Sequence, residues 1–191
     1  SQLTVHVIGH VAHPIERYMT RQLFFAIVVG VSVPRWLTDD EIESWRPLAA
    51  LVLLLPSYLE EAVQVHGLTF FEYSVLVVLS DAPDRTMPMS ELAHRANGSL
   101  SRTSHGARRL EERGLLSRSR CPDDGRVTLV TLTDDGHRQL VDAAPAHVES
   151  VRHAIFDALT PDQAAVLGHL VEIILNHIQP TGPWATQQTT A

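Results

Sequence analysis

Met89-Ser-Glu-Leu-Ala-His-Arg-Ala-Asn-Gly98 runs into Ser99-Leu-Ser-Arg-Thr-Ser-His-Gly-Ala-Arg-Arg-Leu-Glu-Glu-Arg-Gly114. Leu115-Leu-Ser-Arg-Ser-Arg-Cys-Pro-Asp-Asp-Gly-Arg126 and Val127-Thr-Leu-Val-Thr-Leu-Thr133 follow without a gap. The first piece predicts a short helix over Ser90 to Ala96, and Asn97-Gly98 is turn chemistry. Ser99 or Ser101 caps a second helix, whose core side is read as Leu100, Ala107 and Leu110. Gly114 supplies the left-handed residue that ends it. Residues 115–118 and 127–132 read as two strands around the turn Asp123-Asp-Gly125, and Met87-Pro88-Met89 as a one-rung third strand. Helix, turn, arginine-bearing helix and hairpin in that order make a winged helix-turn-helix, which puts one helix in a DNA major groove and a hairpin on the neighbouring backbone.

Charge sharpens this reading. The chain of 191 residues carries −7, which alone argues against a nucleic-acid binder. Between Arg95 and Arg120, however, stand seven arginines (95, 102, 108, 109, 113, 118, 120) and two acids (Glu111, Glu112), a balance of +5 that leaves −12 for the rest. A basic segment on an acidic body binds phosphate on one face and keeps the remainder off DNA. All 15 basic residues are Arg, a fork-shaped donor suited to phosphate and guanine. The single Cys121 excludes an intramolecular disulfide and fits a reducing cytoplasm.

Outward from this centre the chain is helical. Thr38-Asp-Asp-Glu41 opens a helix with a capping box, and the helix runs to about His66 before Gly67. Leu48, Leu51, Val52, Leu55, Leu59 and Val63 form one stripe, and Leu53 and Leu54 add a second apolar side; Pro56 should bend the helix. A helix apolar on more than one face is covered by more than its own domain, so it is read as dimer-forming. Thr69 caps the next helix, with Glu72 three residues on. Thr133 caps a long helix carrying Pro145, and Thr160-Pro-Asp-Gln163 starts the last one. The fold class is therefore mainly α with a small β-wing: a winged helix-turn-helix domain over 67–133, dimerisation helices over 36–66 and 134–179, and a flexible tail over 180–191. Residues 1–35 form an extension whose apolar run, Leu23 to Val33, is too short to span a membrane and reads as a strand or buried segment.

Gly67-Leu-Thr69, Glu91-Leu-Ala93, Ser101-Arg-Thr103, Leu110-Glu-x-x-Gly114-Leu115, Asp124-Gly-Arg126 and Leu132-Thr-x-x-Gly136 stand in the order seen in the MarR family of transcriptional regulators, which the chain resembles over roughly residues 38–178. The resemblance implies a cytoplasmic homodimer whose two winged domains reach successive major grooves of a pseudo-palindromic operator, acting as a repressor. It implies DNA contacts from Ser99, Ser101, Arg102, Thr103, Ser104 and His105 on the first turns of the second helix. Their hydroxyls lie beside a helix N-terminus that already attracts anions. Arg102 is the main candidate for a guanine. Arg108 and Arg109 are adjacent, so one of them pairs with Glu111 or Glu112 instead. Arg126 matches the wing arginine of the minor groove, held by Asp124, and Arg118 and Arg120 would meet flanking phosphates.

The resemblance also implies an effector, a small aromatic or anionic molecule that enters between the dimer helices and the winged domain and releases DNA. Trp45, Tyr58, His66, Phe70, Phe71 and Tyr73 lie on the two helices that would border it. A thiol switch is the alternative, although Cys121 sits in the wing and not near the dimer helices. A metal switch is another; the eleven histidines (His6, His10 and His13 among them) show no complete ligand set, so no metal or other cofactor is expected. A winged-helix module that binds protein would leave the basic segment without a partner. No nucleophile–base pair or phosphate loop suggests an enzyme.

Overall fold

The computed structural model describes residues 35–182; the reading of Leu23 to Val33 and the amino-terminal histidines lie outside them. The order is α1 (Asp39–Gln64), α2 (Phe70–Ser80), a 3-10 turn (Pro83–Arg85), β1 (Thr86–Pro88), α3 (Met89–Arg95), α4 (Leu100–Glu112), β2 (Leu116–Arg120), β3 (Thr128–Leu132), α5 (Asp134–Ala154), a second 3-10 turn (Phe156–Ala158) and α6 (Pro161–Ile178). No single helix among the described residues is long and apolar enough to cross a membrane.

Two compact units divide between Leu48 and Ala49. In the first, the Thr38 N–H donates to Glu41 Oε2 at 2.7 Å and Thr38 Oγ1 accepts from the Glu41 N–H at 3.3 Å, the reciprocal cap that starts α1. The second unit holds the core. Val63, Leu68, Val75, Leu76, Leu79, Leu92, Ala107, Leu110 and Val130 are all but sealed from solvent, and Leu116, Leu132, Leu140 and Ala143 close the cluster. These residues come from α1, α2, α3, α4, the sheet and α5, so the winged domain is organised around α2. Both α1 and α5 run uninterrupted through their prolines, Pro56 and Pro145.

The sheet is antiparallel in the order β1-β3-β2, with Met87 opposite Val130 on one side and Arg118 opposite it on the other. Its central strand, Thr128–Leu132, alternates in burial, placing Val130 and Leu132 inward. Thr133 then turns the chain into α5. Its Oγ1 caps the helix by accepting from the Gly136 N–H at 3.0 Å while donating to the Gly114 carbonyl at 2.8 Å.

Leu100 is a correction to the sequence reading. Its helical angle matches Ala107 and Leu110, yet it is 57% exposed, because the first turn of α4 overhangs the edge of the core. The junction after α1 is gripped by main-chain acceptors: Gln139 Nε2 donates to the His66 carbonyl at 2.9 Å and an Arg113 Nη to the Gly67 carbonyl at 2.8 Å. Gly67 and Gly114 both take the left-handed conformation, at φ 70° and 73°.

Gly136 marks the closest approach of α5 to the sheet. A Cβ there would stand 2.1 Å from the Leu115 carbonyl oxygen and 2.6 Å from a Leu132 methyl, whereas one on Gly125 would meet nothing within 4 Å. Gly136→Ala should therefore destabilise the fold by about 1–3 kcal/mol, and Gly125→Ala by less than about 0.5 kcal/mol. Thermal unfolding of the two variants side by side checks this.

Candidate nucleic-acid interface

Local chemistry positions α4 first. Asn97 takes φ 51° at the turn, and Gly98 lies so close to Phe71 that a Cβ would fall 2.7 Å from the ring. Ser99 caps the helix, its Oγ accepting from the Arg102 N–H at 3.2 Å. Thr103, Gly106, Ala107 and Leu110 then face inward. Thr103 is a second correction: it is completely buried and its hydroxyl donates to the Ser99 carbonyl at 3.0 Å, so it secures the helix start and presents nothing to DNA.

The remaining expected residues lie on the surface of α4 and the wing. Ser99, Ser101, Arg102, His105 and Arg108 are exposed on α4, with Ser104 partly so; Arg120, Asp124 and Arg126 are exposed on the wing. The carboxylates sort the arginines. Arg109 donates through Nε to the buried Glu72 at 2.8 Å, a partner 37 residues away that neither Glu111 nor Glu112 replaces. Arg108 stands 3.9 Å from Glu112 and 3.3 Å from His105 Nδ1. Arg118 donates through Nε to Glu111 at 2.8 Å, and this partner holds the Glu111 carboxyl below its usual range. Arg118, expected on a flanking phosphate, is thus already committed to a carboxylate.

Arg102, Arg120 and Arg126 have no carboxylate partner among the described residues. The Arg102 guanidinium lies over the Phe71 ring, 4.1 Å from its centre, which orients the charge without neutralising it. Arg120 donates to the Gly125 carbonyl at 2.6 Å and so closes the wing tip. Asp124 acts on Arg126 through the backbone, Oδ1 accepting from the Arg126 N–H at 3.0 Å, which shapes the turn and leaves the side chain unpaired. Three uncompensated guanidinium groups at the start of α4 and around the wing tip make a surface able to take several phosphates or a guanine edge.

A cavity of about 510 Å³ lies behind this surface. Phe70, Phe71, Tyr73, Val77 and Val78 of α2 form its apolar wall, and Arg95, Asn97 and Arg102 stand at its polar side. Phe70 and Tyr73 were expected there. Trp45, Tyr58 and His66 are not part of this wall, where α1 contributes Pro56 instead. Trp45 is exposed beside Asp40, Glu41, Ser44 and Leu48. His147, which the sequence reading weighed only among the histidines of a metal switch and not as a pocket residue, packs its ring 4.5 Å from Tyr73 and 5.8 Å from Phe70. Its Nδ1 is buried without a hydrogen-bond partner among the described residues. Burial pushes the His147 imidazole below its ordinary value and the Tyr73 phenol above its own. Cys121 is partly buried at the start of the wing loop, its N–H donating to the Val127 carbonyl at 2.9 Å. No group of three His, Cys, Asp or Glu side chains among the described residues could hold a metal ion.

The sequence profile of the MarR family matches residues 68–128. A MarR-family transcriptional regulator of Streptomyces coelicolor, solved in complex with DNA, is 40% identical over 78% of this chain and 93% of its own, with a TM-score of 0.74. AbsC, another MarR-family regulator of that organism, is 37% identical over 77% of this chain and 99% of its own, with a TM-score of 0.72. An uncharacterized HTH-type transcriptional regulator of Bacillus subtilis, YdgJ, is 31% identical over 74 residues, 39% of this chain and 44% of YdgJ.

His147 sets a pH dependence. The folded chain holds its proton more weakly than the unfolded chain does, so the unfolded state binds more protons just below the ordinary histidine value of 6.5. Its contribution to stability is whole above that value and declines as pH falls through the window beneath it. The difference in melting temperature between wild type and His147→Gln should therefore shift against the wild type on acidification from neutral pH.

Proposed function

Since this chain belongs to the MarR family of DNA-binding transcriptional regulators, we propose that it works as a homodimeric repressor in the cytoplasm, released from a pseudo-palindromic operator by a small aromatic or anionic effector. The observation that carries the DNA surface is that Arg102, Arg120 and Arg126, on α4 and the wing, have no carboxylate partner among the described residues. Arg102 would enter the major groove with Ser99, Ser101 and Ser104 beside it; Arg126 would enter the minor groove; Arg120 would take a phosphate. His105 and Arg108 lie farther along α4, where they would meet the groove edge. Residues 67–133 are the DNA-binding part in this reading.

Dimerisation is supported by apolar surface that the single chain leaves in water. No residue of α6 is buried, while Val166, Leu170, Val171, Ile173, Ile174 and Ile178 are each more than 40% exposed. On α1, Leu51, Val52, Leu53 and Leu54 are exposed too. Apolar faces of this extent mark an interface, and a stable pair of chains typically excludes roughly 1,600 Å² of surface from water. The helices in 36–66 and 134–179 are the dimerisation elements in this reading.

The cavity supports the effector. Its aromatic wall suits a flat ring, and Arg95 and Arg102 at its polar side suit an anion. Release requires an effector that binds the DNA-free arrangement more tightly than the DNA-bound one. Arg102 touches both places, since it lines the cavity and starts α4.

Fluorescence anisotropy with DNA selected by the protein from a random pool tests the reading. Affinity should fall steeply as salt rises; Arg120→Ala should reduce the salt slope by about two, one phosphate contact per subunit of the dimer, and Arg102→Ala should weaken binding and relax the base preference at its position. Arg152→Ala, whose guanidinium pairs with Asp157 at 3.6 Å, should leave the slope unchanged. A salt-independent or undetectable association would overturn the DNA reading. Light scattering should give two chains per particle, and Leu170→Glu with Ile174→Glu should give one chain that binds the selected DNA at least about tenfold more weakly.

A further inference from the structure

The α4 helix carries one large apolar side chain in water, and the fold asks nothing of it. Leu100 is the first residue of α4, just after the Ser99 cap, a position any good helix former fills. It takes no place in the buried core cluster. It borders a hollow of about 300 Å³ walled by Met89, Ser90, Ser104, Arg126, Val127 and Thr128, the notch between the start of α4 and the wing. Four-residue spacing sets Leu100 and Ser104 on one side of the helix. Arg126, on the wall of the notch, has no carboxylate partner among the described residues. The exposed apolar faces proposed for dimerisation lie on α1 and α6, not on this helix.

A leucine framed by cationic and hydroxyl side chains has few occupants that satisfy both. The arginine calls for a polyanion, and the leucine for an apolar group carried by that polyanion. Duplex DNA offers one in its major groove, the 5-methyl group of thymine, the one apolar group on the base edges there larger than a hydrogen atom. We infer that Leu100 packs on a thymine methyl, so that the start of α4 selects thymine by shape at one position of each half-site. This rests on the DNA reading above and adds to it a specificity element that makes no hydrogen bond.

The test separates the two ideas. With DNA selected from a random pool by the full chain, each thymine pair related by the operator symmetry is replaced by deoxyuridine, which removes the methyl and keeps the pairing edge. At one symmetric position the wild type should lose roughly fourfold in affinity per half-site, about fifteenfold for both. Leu100→Ala should bind the thymine DNA more weakly by a similar factor and be indifferent to deoxyuridine at that position alone. Its salt slope should stay that of the wild type, since no charge is removed. A wild type that binds every deoxyuridine-substituted DNA as tightly as the original overturns the inference, and needs no variant to do so. So does a Leu100→Ala protein that still discriminates at the same position. In both cases salt-dependent binding to the selected DNA would leave the DNA reading standing; failure to bind any duplex would remove both.

Discussion

A buried carboxylate on α2 fixes the angle of α4. Glu72 is 4% exposed. One oxygen accepts from the Thr69 N–H at 3.0 Å and completes the cap of α2; the other accepts from Arg109 Nε at 2.8 Å on α4. A buried charge is tolerated only when its partners are in place, so the pair demands one register between the helices. Next to it, Phe71 fills the space under the Gly98 turn and carries the Arg102 guanidinium on its face. Two adjacent residues of α2 thereby set the start, the tilt and the outward charge of α4. The hydrophobic core holds the domain together, and this polar clamp sets its angle.

The same logic explains how an acidic chain carries a basic surface. Acids here are spent inside the domain: Glu72 on Arg109 and Glu111 on Arg118 each tie α4 to another element. These clamps consume arginines that composition alone would have counted toward DNA. Arg102 at the start of α4 and Arg120 and Arg126 in the wing stay without an ion pair among the described residues, even with Asp124 beside them, because its carboxylate is turned to the Arg126 N–H.

Features governed by neighbours along the chain were legible in the sequence. The caps at Thr38, Thr69, Ser99, Thr133 and Thr160 are contacts over three residues; four read correctly from residue type and spacing, and at α4, where Ser99 and Ser101 both qualified, the structure selects Ser99. The winged order followed from turn chemistry and strand alternation. Features decided by distant neighbours were not legible. The partner of Arg109 lies 37 residues upstream, and His147 reaches the Phe70 and Tyr73 rings from a helix that begins beyond the wing. Helical periodicity put Leu100 in the core, yet it stands exposed at the first turn of α4 beside Ser104. Thr103 shows the converse: a hydroxyl that reads as surface chemistry is the helix's own inner fastening. On β2, Arg118 and Arg120 share a face by alternation, and only the position of Glu111 distinguishes them.

The joint after α1 has an evolutionary reading. Gln139 and Arg113 hold the carbonyls of His66 and Gly67, groups that every residue possesses. A grip on the main chain is blind to the side chain at position 66. Mutations there can accumulate without loosening the joint, while Gly67 is pinned by its backbone angle alone. Descendants of this protein are therefore free to diversify one side of the joint and obliged to keep the other, an asymmetry that an alignment of its lineage would display as a variable column beside a fixed one.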